Sequence, residues 1–572
     1  MPYRAPIEDY QFLFDHVANL GQVVSTDRFC EATPDIVGAI LSEAGRMCED
    51  VLFPLQRAGD QHPAYLENGV VRTSPGFAEG YQSIADGGWV SISAPSEFGG
   101  MDLPMALTTA VNEMMSAACL SLQLNPLMTQ GQIEALAHHA SDALKETYLP
   151  KLVSGQWAGT MNLTESQAGS DVGALRSSAE PNVDGTFAVS GQKIFISWGD
   201  NDFTENVCHL VLARLPGGEP GTKGISLFLV PKFIPDMDGN PGVANTLSVV
   251  GLEHKMGLHG SPTAILQFDG ATGWLVGERH DGLRAMFTMM NNARLGVGGQ
   301  GIGAAEGAYQ HALAYTHERK QGRSSRKDST GSIIDHADVR RMLATMKANI
   351  FVARSIALSC AVAIDMQSAT GGDHWASRAA LLTPIAKAYG TDTGCRVSDM
   401  GVQVHGGMGY IEETGAAQYF RDVRVTAIYE GTNGIQSMDL VGRKLMDGGA
   451  AAFDLLDEID SQADTAKSKL PDLAALVRQA SAALRDAVEW MVGQDDMDQR
   501  NAGAVAFLTA FATVLGGHFH LIAAIAEGGS GPRSKLARFY ITRLLPEHAS
   551  LLVQAMAGSD DLFEISPEEL GT

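Results

Sequence analysis

Apolar positions over roughly the first 155 residues recur at three- and four-residue intervals, the period of a helix with one buried face. Ile36, Val37, Ile40 and Leu41 share such a face, and residues 106–124 form a longer run of the same kind. Between them SAPSEFGGMDLP (93–104) is dense in Pro and Gly and reads as a loop. Near residue 158 the pattern changes. FAVSGQKIFIS, VCHLVLARL, GISLFLVPK and TAILQFDG are short β-branched and aromatic segments separated by Gly, Asp and Pro, which predicts an antiparallel β-domain ending near Glu278. From Gly282 to about residue 446 the helical period returns, clearest at Val339, Met342, Leu343, Met346 and Ile350 and again over 379–402. Asp447-Gly448-Gly449-Ala450 marks a boundary, beyond which 463–489 and 502–526 are expected as long helices. The expected order is therefore helical (1–157), β (158–281), helical (282–446) and an appended all-helical segment (447–572).

At 572 residues the chain exceeds one hydrophobic core, which agrees with several domains. A formal net charge of -25 repels phosphate backbones, so no nucleic acid is expected as a partner. The one notable basic cluster runs from Arg319 to Lys327. Cys30, Cys48, Cys119, Cys208, Cys360 and Cys395 are scattered, without a C-x-x-C pair or a histidine at metal spacing. Neither a disulfide framework nor a metal site is expected, and a reducing compartment fits. MPYRAPIEDYQFLFDHV has no basic region leading into an apolar one, so a cytoplasmic location is expected. Residues 502–526 could span a bilayer by length, but Gly516, Gly517, His518 and His520 at the centre suit lipid poorly. A buried helical hairpin is expected there instead.

Gly296-Val-Gly298-Gly-Gln-Gly301 formally matches a dinucleotide fingerprint. It follows MFTMMNNARL in a helical stretch with no parallel strands around it, so close helix packing is the expected role. Asn162-Leu-Thr164-Glu-Ser-Gln-Ala-Gly169-Ser170-Asp171 enters the β-domain. Its small residues let backbone amides approach a polar ring edge, though an ordinary turn reads the same way. In Lys193-Ile-Phe195-Ile-Ser197-Trp-Gly199 strand alternation places Phe195 and Ser197 on one face, an aromatic ring beside a hydroxyl. A half-buried strand would look no different. Tyr429-Glu430-Gly431-Thr432 follows an apolar run, so Glu430 is a candidate base whose burial would raise its pKa. The competing reading is a helix N-terminal acid held by the dipole.

Taken in order, these motifs resemble the acyl-CoA dehydrogenase family. TESQAGSD resembles the family's T-E-P-x-A-G-S-D, and KIFISWG its K-x-W-I-T-N-G, with Phe195 for Trp and Ser197 for Thr. EHKMGLHGSPT (253–263), ERKQGR (318–323), QVHGGMGY and IYEGTNGIQ follow in the family's order, so the resemblance spans about 80–440. It implies an α+β multidomain fold: an N-terminal helical domain, a middle antiparallel β-barrel or sandwich and a C-terminal four-helix bundle, here with a helical appendage. It also implies FAD as cofactor, an acyl-CoA substrate and an electron-transfer flavoprotein as acceptor. Glu430 matches the base. Some relatives carry the base at a position that is Ala293 here, which cannot serve. Met161, Leu163, Thr164, Gly169 and Ser170 map to the flavin's pyrimidine side and ribityl phosphate, and Phe195 and Ser197 to its ring face and N5. Arg319, Gln403, Gly406, Gly407 and Thr432 map to the ADP half, partly from a second subunit, which makes a homodimer the expected assembly. Ser170, Arg294, Glu430 and Gly431 map to substrate contacts. Met161, Phe195 and Gly434 depart from the family pattern, which bears on contact detail.

The opening segment, the size and the appendage resemble a large bacterial subgroup that includes enzymes acting on 3-methylmercaptopropionyl-CoA. A general fatty acyl-CoA dehydrogenase of β-oxidation, an acyl-CoA oxidase and a DNA-associated flavoprotein are the alternatives. The last would need a basic appendage, whereas residues 454–572 are acidic on balance.

Overall fold

The computed structural model describes residues 3–571. The chain begins with helices α1 (Ile7–His16), α2 (Leu20–Val24), α3 (Pro34–Met47) and α4 (Phe53–Gln61). A small hairpin of β1 (Tyr65–Glu67) and β2 (Val70–Arg72), absent from the helical reading of this region, then intervenes. Its turn is Asn68-Gly69, both at positive φ (51° and 79°), the conformation that tight two-residue hairpins require. Helices α5 (Phe77–Asp86), α6 (Met105–His139) and α7 (Asp142–Val153) complete the stretch. α6 carries a break at Cys119, where φ is -154° and ψ 87°.

Nine strands follow: β3 (Trp157–Asn162), β4 (Ser178–Pro181), β5 (Phe187–Ser197), β6 (Asn206–Arg214), β7 (Ile225–Pro231), β8 (Phe233–Pro235), β9 (Pro241–Ala244), β10 (Leu247–Leu252) and β11 (Thr263–Val276). β11, β5, β4, β6 and β7 pair in a closed circuit, with β10 beside β11 and β3 beside β6. The domain is not wholly antiparallel, because β3 and β4 both pair with β6 in parallel. Alternate residues of these strands, among them Val189, Val211, Phe228, Leu266 and Phe268, fill one buried core.

Helix α8 (Gly282–Glu318) starts where the pattern predicts. It leads to α9 (Ala337–Thr370), α10 (Asp373–His405), α11 (Ala416–Val423), α12 (Asn433–Asp439), α13 (Ala450–Ala466), α14 (Pro471–Gly493), α15 (Met497–Ala526), α16 (Pro532–Arg543), α17 (Glu547–Ala555) and α18 (Asp560–Glu564). Gly296, Gly298 and Gly301 lie inside α8, so the apparent nucleotide fingerprint serves packing. A Cβ on Gly298 would stand 2.7 Å from the Ala386 carbonyl oxygen, and one on Gly301 2.5 Å from that of Gly390, both in α10.

Two expectations for the appendage are corrected. Residues 463–489 are not one helix, because the chain leaves α13 at Ala466 and restarts at Pro471, which is suited to the first turn of α14. Residues 502–526 are not a hairpin but part of the single 30-residue helix α15. Its central glycines admit neighbours rather than a turn: a Cβ on Gly516 would meet the Tyr540 hydroxyl at 2.2 Å. Among the described residues two helices, α9 and α15, are long and apolar enough to cross a membrane by length and composition, yet 83% of the most apolar window of each is buried in the protein.

The structure separates into two compact units, residues 3–5 with 34–296, and 6–33 with 297–571. The units cut the chain differently from the sequence-based segments. Residues 6–33 join the C-terminal unit, where α1 buries Tyr10, Leu13 and Phe14 and Arg533 bonds Asp9. The appendage packs within the same unit as residues 297–446.

Candidate active site

In the unit of residues 34–296, the sequence-nominated residues gather where β3 leaves the sheet. Met161 is the half-buried penultimate residue of β3, and Leu163 and Thr164 begin the loop that follows. That loop is tied to β5 by backbone and side chain together. Ile194 N donates to the Thr164 carbonyl at 2.9 Å, and Lys193 Nζ donates to the Leu163 carbonyl at 3.0 Å. Lys193 is fully buried, and its ammonium also lies 2.8 Å from Oε1 of Glu165, itself 6% exposed. Ser177 N and Oγ, Arg176 N and Gln167 Nε2 donate to the same carboxylate. Burial opposes the charge on Glu165, but the Lys193 ammonium and these donors outweigh it and hold the carboxyl down to about 2. Burial draws the Lys193 ammonium down to about 8, so the pair is ionised at neutral pH. Glu165 and Lys193 were not nominated from the sequence, although both lie inside quoted motifs.

Beyond this clamp the loop turns outward. Glu165 and Ala168 exchange backbone hydrogen bonds, and Gly169 and Ser170 are exposed, with no atom within 4 Å of where a Gly169 Cβ would stand. On β5 the simple alternation is broken. The register against β11 slips between Lys193 and Ile196, and Phe195 takes φ +60°, a left-handed conformation that costs a non-glycine residue about 1–3 kcal/mol. In and after this bulge Phe195 is 57% exposed, Ile196 buried and Ser197 half-buried. Trp198, also left-handed (φ 53°), is buried and donates its indole N–H to the Ser121 carbonyl at 3.1 Å. A bare aromatic ring, a neighbouring hydroxyl and an open glycine edge together suit a flat heteroaromatic ring system. Arg294 lies on α8, 5% exposed, next to fully buried Ala293.

In the other unit Glu430 occupies a sharp bend between a 3-10 turn (Arg424–Ala427) and α12. Thr432 is the N-cap of α12 and accepts from Ile435 N at 3.3 Å. Glu430 therefore precedes the cap by two residues and is not a first-turn helix acid. Its φ is +55° and that of Gly431 +81°, two left-handed residues in succession. Strain of this kind persists where surrounding contacts fix it, and it gathers at functional sites. Gln436 Nε2 donates to the Glu430 carbonyl at 3.2 Å, Lys387 Nζ donates to the Gly431 carbonyl at 2.8 Å, and the Tyr429 hydroxyl bonds Gln300 Oε1. Gln436 is fully buried, and its Oε1 has no hydrogen-bond partner among the described residues.

Gln403, Gly406 and Gly407 come together at the end of α10, all exposed. Gly406 caps the helix at φ +61° with nothing within 4 Å of a Cβ position, an open backbone edge. Arg319, also exposed, directly follows α8. The loop is anchored by a residue the sequence reading passed over, His405, whose ring stacks between those of His311 (4.8 Å) and Tyr315 (4.4 Å). Burial lowers both imidazoles, His311 to about 4, so they are neutral at pH 7. Met408, Tyr410 and Ile411 next to this loop are 45%, 87% and 44% exposed, an apolar patch on the surface.

The chain belongs to the acyl-CoA dehydrogenase family. Models of the family's N-terminal, middle and C-terminal domains match residues 46–156, 160–271 and 280–446, and an acetyl-CoA dehydrogenase C-terminal-like model matches 455–566. A 3-methylmercaptopropionyl-CoA dehydrogenase of Ruegeria pomeroyi is 44% identical over 89% of this chain and 88% of its own. A butyryl-CoA dehydrogenase of Syntrophomonas wolfei is 33% identical over 99% of both chains. The fold is shared with an acyl-CoA dehydrogenase from Bacillus anthracis, solved with FAD, at a TM-score of 0.76 and 20% identity, covering 94% of this chain and 91% of that one.

Proposed function

We propose that the protein is an FAD-dependent acyl-CoA dehydrogenase in which Glu430 removes the α-proton of the thioester, and that its substrate is 3-methylmercaptopropionyl-CoA. The observation that carries the catalytic reading is the bend at Glu430, where a residue outside any helix is held in a left-handed conformation by two buried side chains, those of Gln436 and Lys387, on the carbonyls of Glu430 and Gly431. The bound flavin supplies the acceptor for the β-hydride, so that the product is a trans-2-enoyl-CoA. The chain's own contribution is to hold a base and a polar backbone edge in fixed geometry. The Glu430 N–H would donate to the thioester carbonyl, where charge grows as the proton leaves. Met161, Leu163, Thr164, Gly169, Ser170, Phe195 and Ser197 would hold the flavin ring. Arg319, Gln403, Gly406, Gly407 and Thr432 would hold the ADP half. Arg294, Ser170 and Gly431 would contact substrate. An electron-transfer flavoprotein is the proposed electron acceptor.

The substrate reading is supported by the 44% identical relative. Steady-state turnover with an artificial acceptor should show the highest kcat/KM with 3-methylmercaptopropionyl-CoA, above butyryl- and octanoyl-CoA. A tenfold preference for either fatty acyl-CoA would assign the enzyme to general fatty acid oxidation instead.

A homodimer with FAD shared between subunits is supported by the open, exposed Gly406–Gly407 edge and its apolar neighbours Met408, Tyr410 and Ile411. Dilution followed by light scattering and flavin fluorescence should show dissociation and flavin release at the same concentration. A monomer with stoichiometric FAD would contradict the shared site.

A further inference from the structure

Lys387 lies in the middle of α10 and is fully buried. A buried ammonium is costly unless its surroundings require it. Its Nζ donates to the Gly431 carbonyl at 2.8 Å and to Asn433 Oδ1 at 2.9 Å, the residues one and three beyond Glu430. Asn433 is fixed in turn, its Nδ2 donating to Asp392 Oδ1 at 2.7 Å and Thr391 Oγ1 at 3.0 Å. The helix that carries the lysine is itself fixed by close packing, since a Cβ on Gly298 of α8 would come within 3.3 Å of the Lys387 Cα. A rigid helix pair thus delivers one cation to the backbone of a strained turn.

We propose that Lys387 is a positioning residue for Glu430: its buried ammonium pins the Gly431 carbonyl, keeps Glu430 and Gly431 left-handed, and brings a positive charge to the turn that carries the base. This rests on the reading of Glu430 as the base. A neutral donor would satisfy the carbonyl equally well, but only a cation also favours the ionised carboxylate that accepts the proton. The other titratable groups interacting electrostatically with Lys387 or Glu430 are Asp392 and Cys395 on α10, which also interact with Arg396 and Arg424, and Tyr429. Burial pushes the Asp392, Cys395 and Tyr429 groups up, while Lys387, Arg396 and Arg424 pull Asp392 down.

The test uses the holoenzyme variants Lys387→Met and Lys387→Gln, measured for kcat, KM, FAD content and the pH profile of kcat/KM. Misplacement of a base by about an ångström costs on the order of 10²-fold, so Lys387→Met should lower kcat by about 10- to 100-fold with KM within a few-fold. Its acid limb should move up by about one pH unit, as expected when an opposite charge near a carboxylate is lost. Lys387→Gln should move the limb equally while retaining more of kcat. A lysine that only holds the fold would lower thermal stability and FAD content and leave the limb and the kcat per bound flavin unchanged, which would overturn the proposal. Should Lys387→Met not fold, Asn433→Ala removes one oxygen that holds the ammonium. It should lower kcat per bound flavin in the same direction while leaving the limb near its wild-type position, because the ammonium remains, and an unchanged kcat per bound flavin would overturn the proposal. Glu430→Gln run in parallel separates the two claims. If it turns over like wild type, the base reading fails, whereas an inactive Glu430→Gln beside an unaffected Lys387→Met defeats only the role of Lys387.

Discussion

Glu430→Gln should bind FAD and acyl-CoA normally and turn over at least 10²–10⁴-fold more slowly than wild type, the usual range for loss of a general base. Glutamine keeps the size of glutamate and leaves the bend intact, because Gln436 and Lys387 hold backbone carbonyls there rather than the side chain. The expected loss falls at the upper end of that range, since the position used as base in some relatives is Ala293 here. Melting temperature and flavin content should match wild type, which separates a chemical defect from a folding one. A variant that melts several degrees lower with partial activity would point to a structural carboxylate instead.

Lys193→Met should be the most damaging substitution away from the base. It leaves the Glu165 carboxylate buried without its cation, a change that costs about 3–5 kcal/mol. The same change frees the Leu163 carbonyl and loosens the loop proposed to hold the flavin ring, so FAD should be lost together with stability. The pH dependence follows from the sign of the Glu165 shift. Its folded pKa, about 2, lies below the ordinary 4.5, so the stabilisation is present above pH 4.5 and is lost as pH falls towards 2. In Lys193→Met that acid-sensitive part should vanish, and the stability gap to wild type should shrink as pH falls from 4.5 towards 2. Lys193→Met/Glu165→Gln should recover much of the loss. Denaturant melts at pH 7 that show less than about 1 kcal/mol of destabilisation for Lys193→Met would refute the clamp.

How far the sequence foretold this structure depended on whether a feature was local. Element types followed periodicity closely, with β5 running from Phe187 to Ser197 and α8 starting at Gly282, because burial of one face leaves its period in the chain. The breaks were harder to see. The Asn68-Gly69 hairpin was legible as a turn dipeptide and was passed over because its strands are three residues each. The bulge at Phe195 carries no glycine to announce it. Gly516-Gly517 reads as a turn in one dimension, whereas in the fold it makes room for Tyr540 and Leu545 from later in the chain. The same limit hid Lys387, which lies 44 residues before the Gly431 carbonyl it holds. Nothing in ALLTPIAKAYG distinguishes a lysine that will be fully buried from one on a solvated face. Glu430 itself stood out only because its motif came in order with five others.

In the proposed reaction one carboxylate, that of Glu430, takes the α-proton as the β-hydride leaves for the flavin. Anaerobic stopped-flow mixing of the FAD-loaded protein with 3-methylmercaptopropionyl-CoA, protiated or deuterated at the α-carbon, tests it directly. The account predicts that wild type bleaches its flavin with a primary isotope effect at the α-position and that Glu430→Gln does not bleach on the same timescale. Bleaching of Glu430→Gln within a few-fold of the wild-type rate would place the base elsewhere and contradict the account.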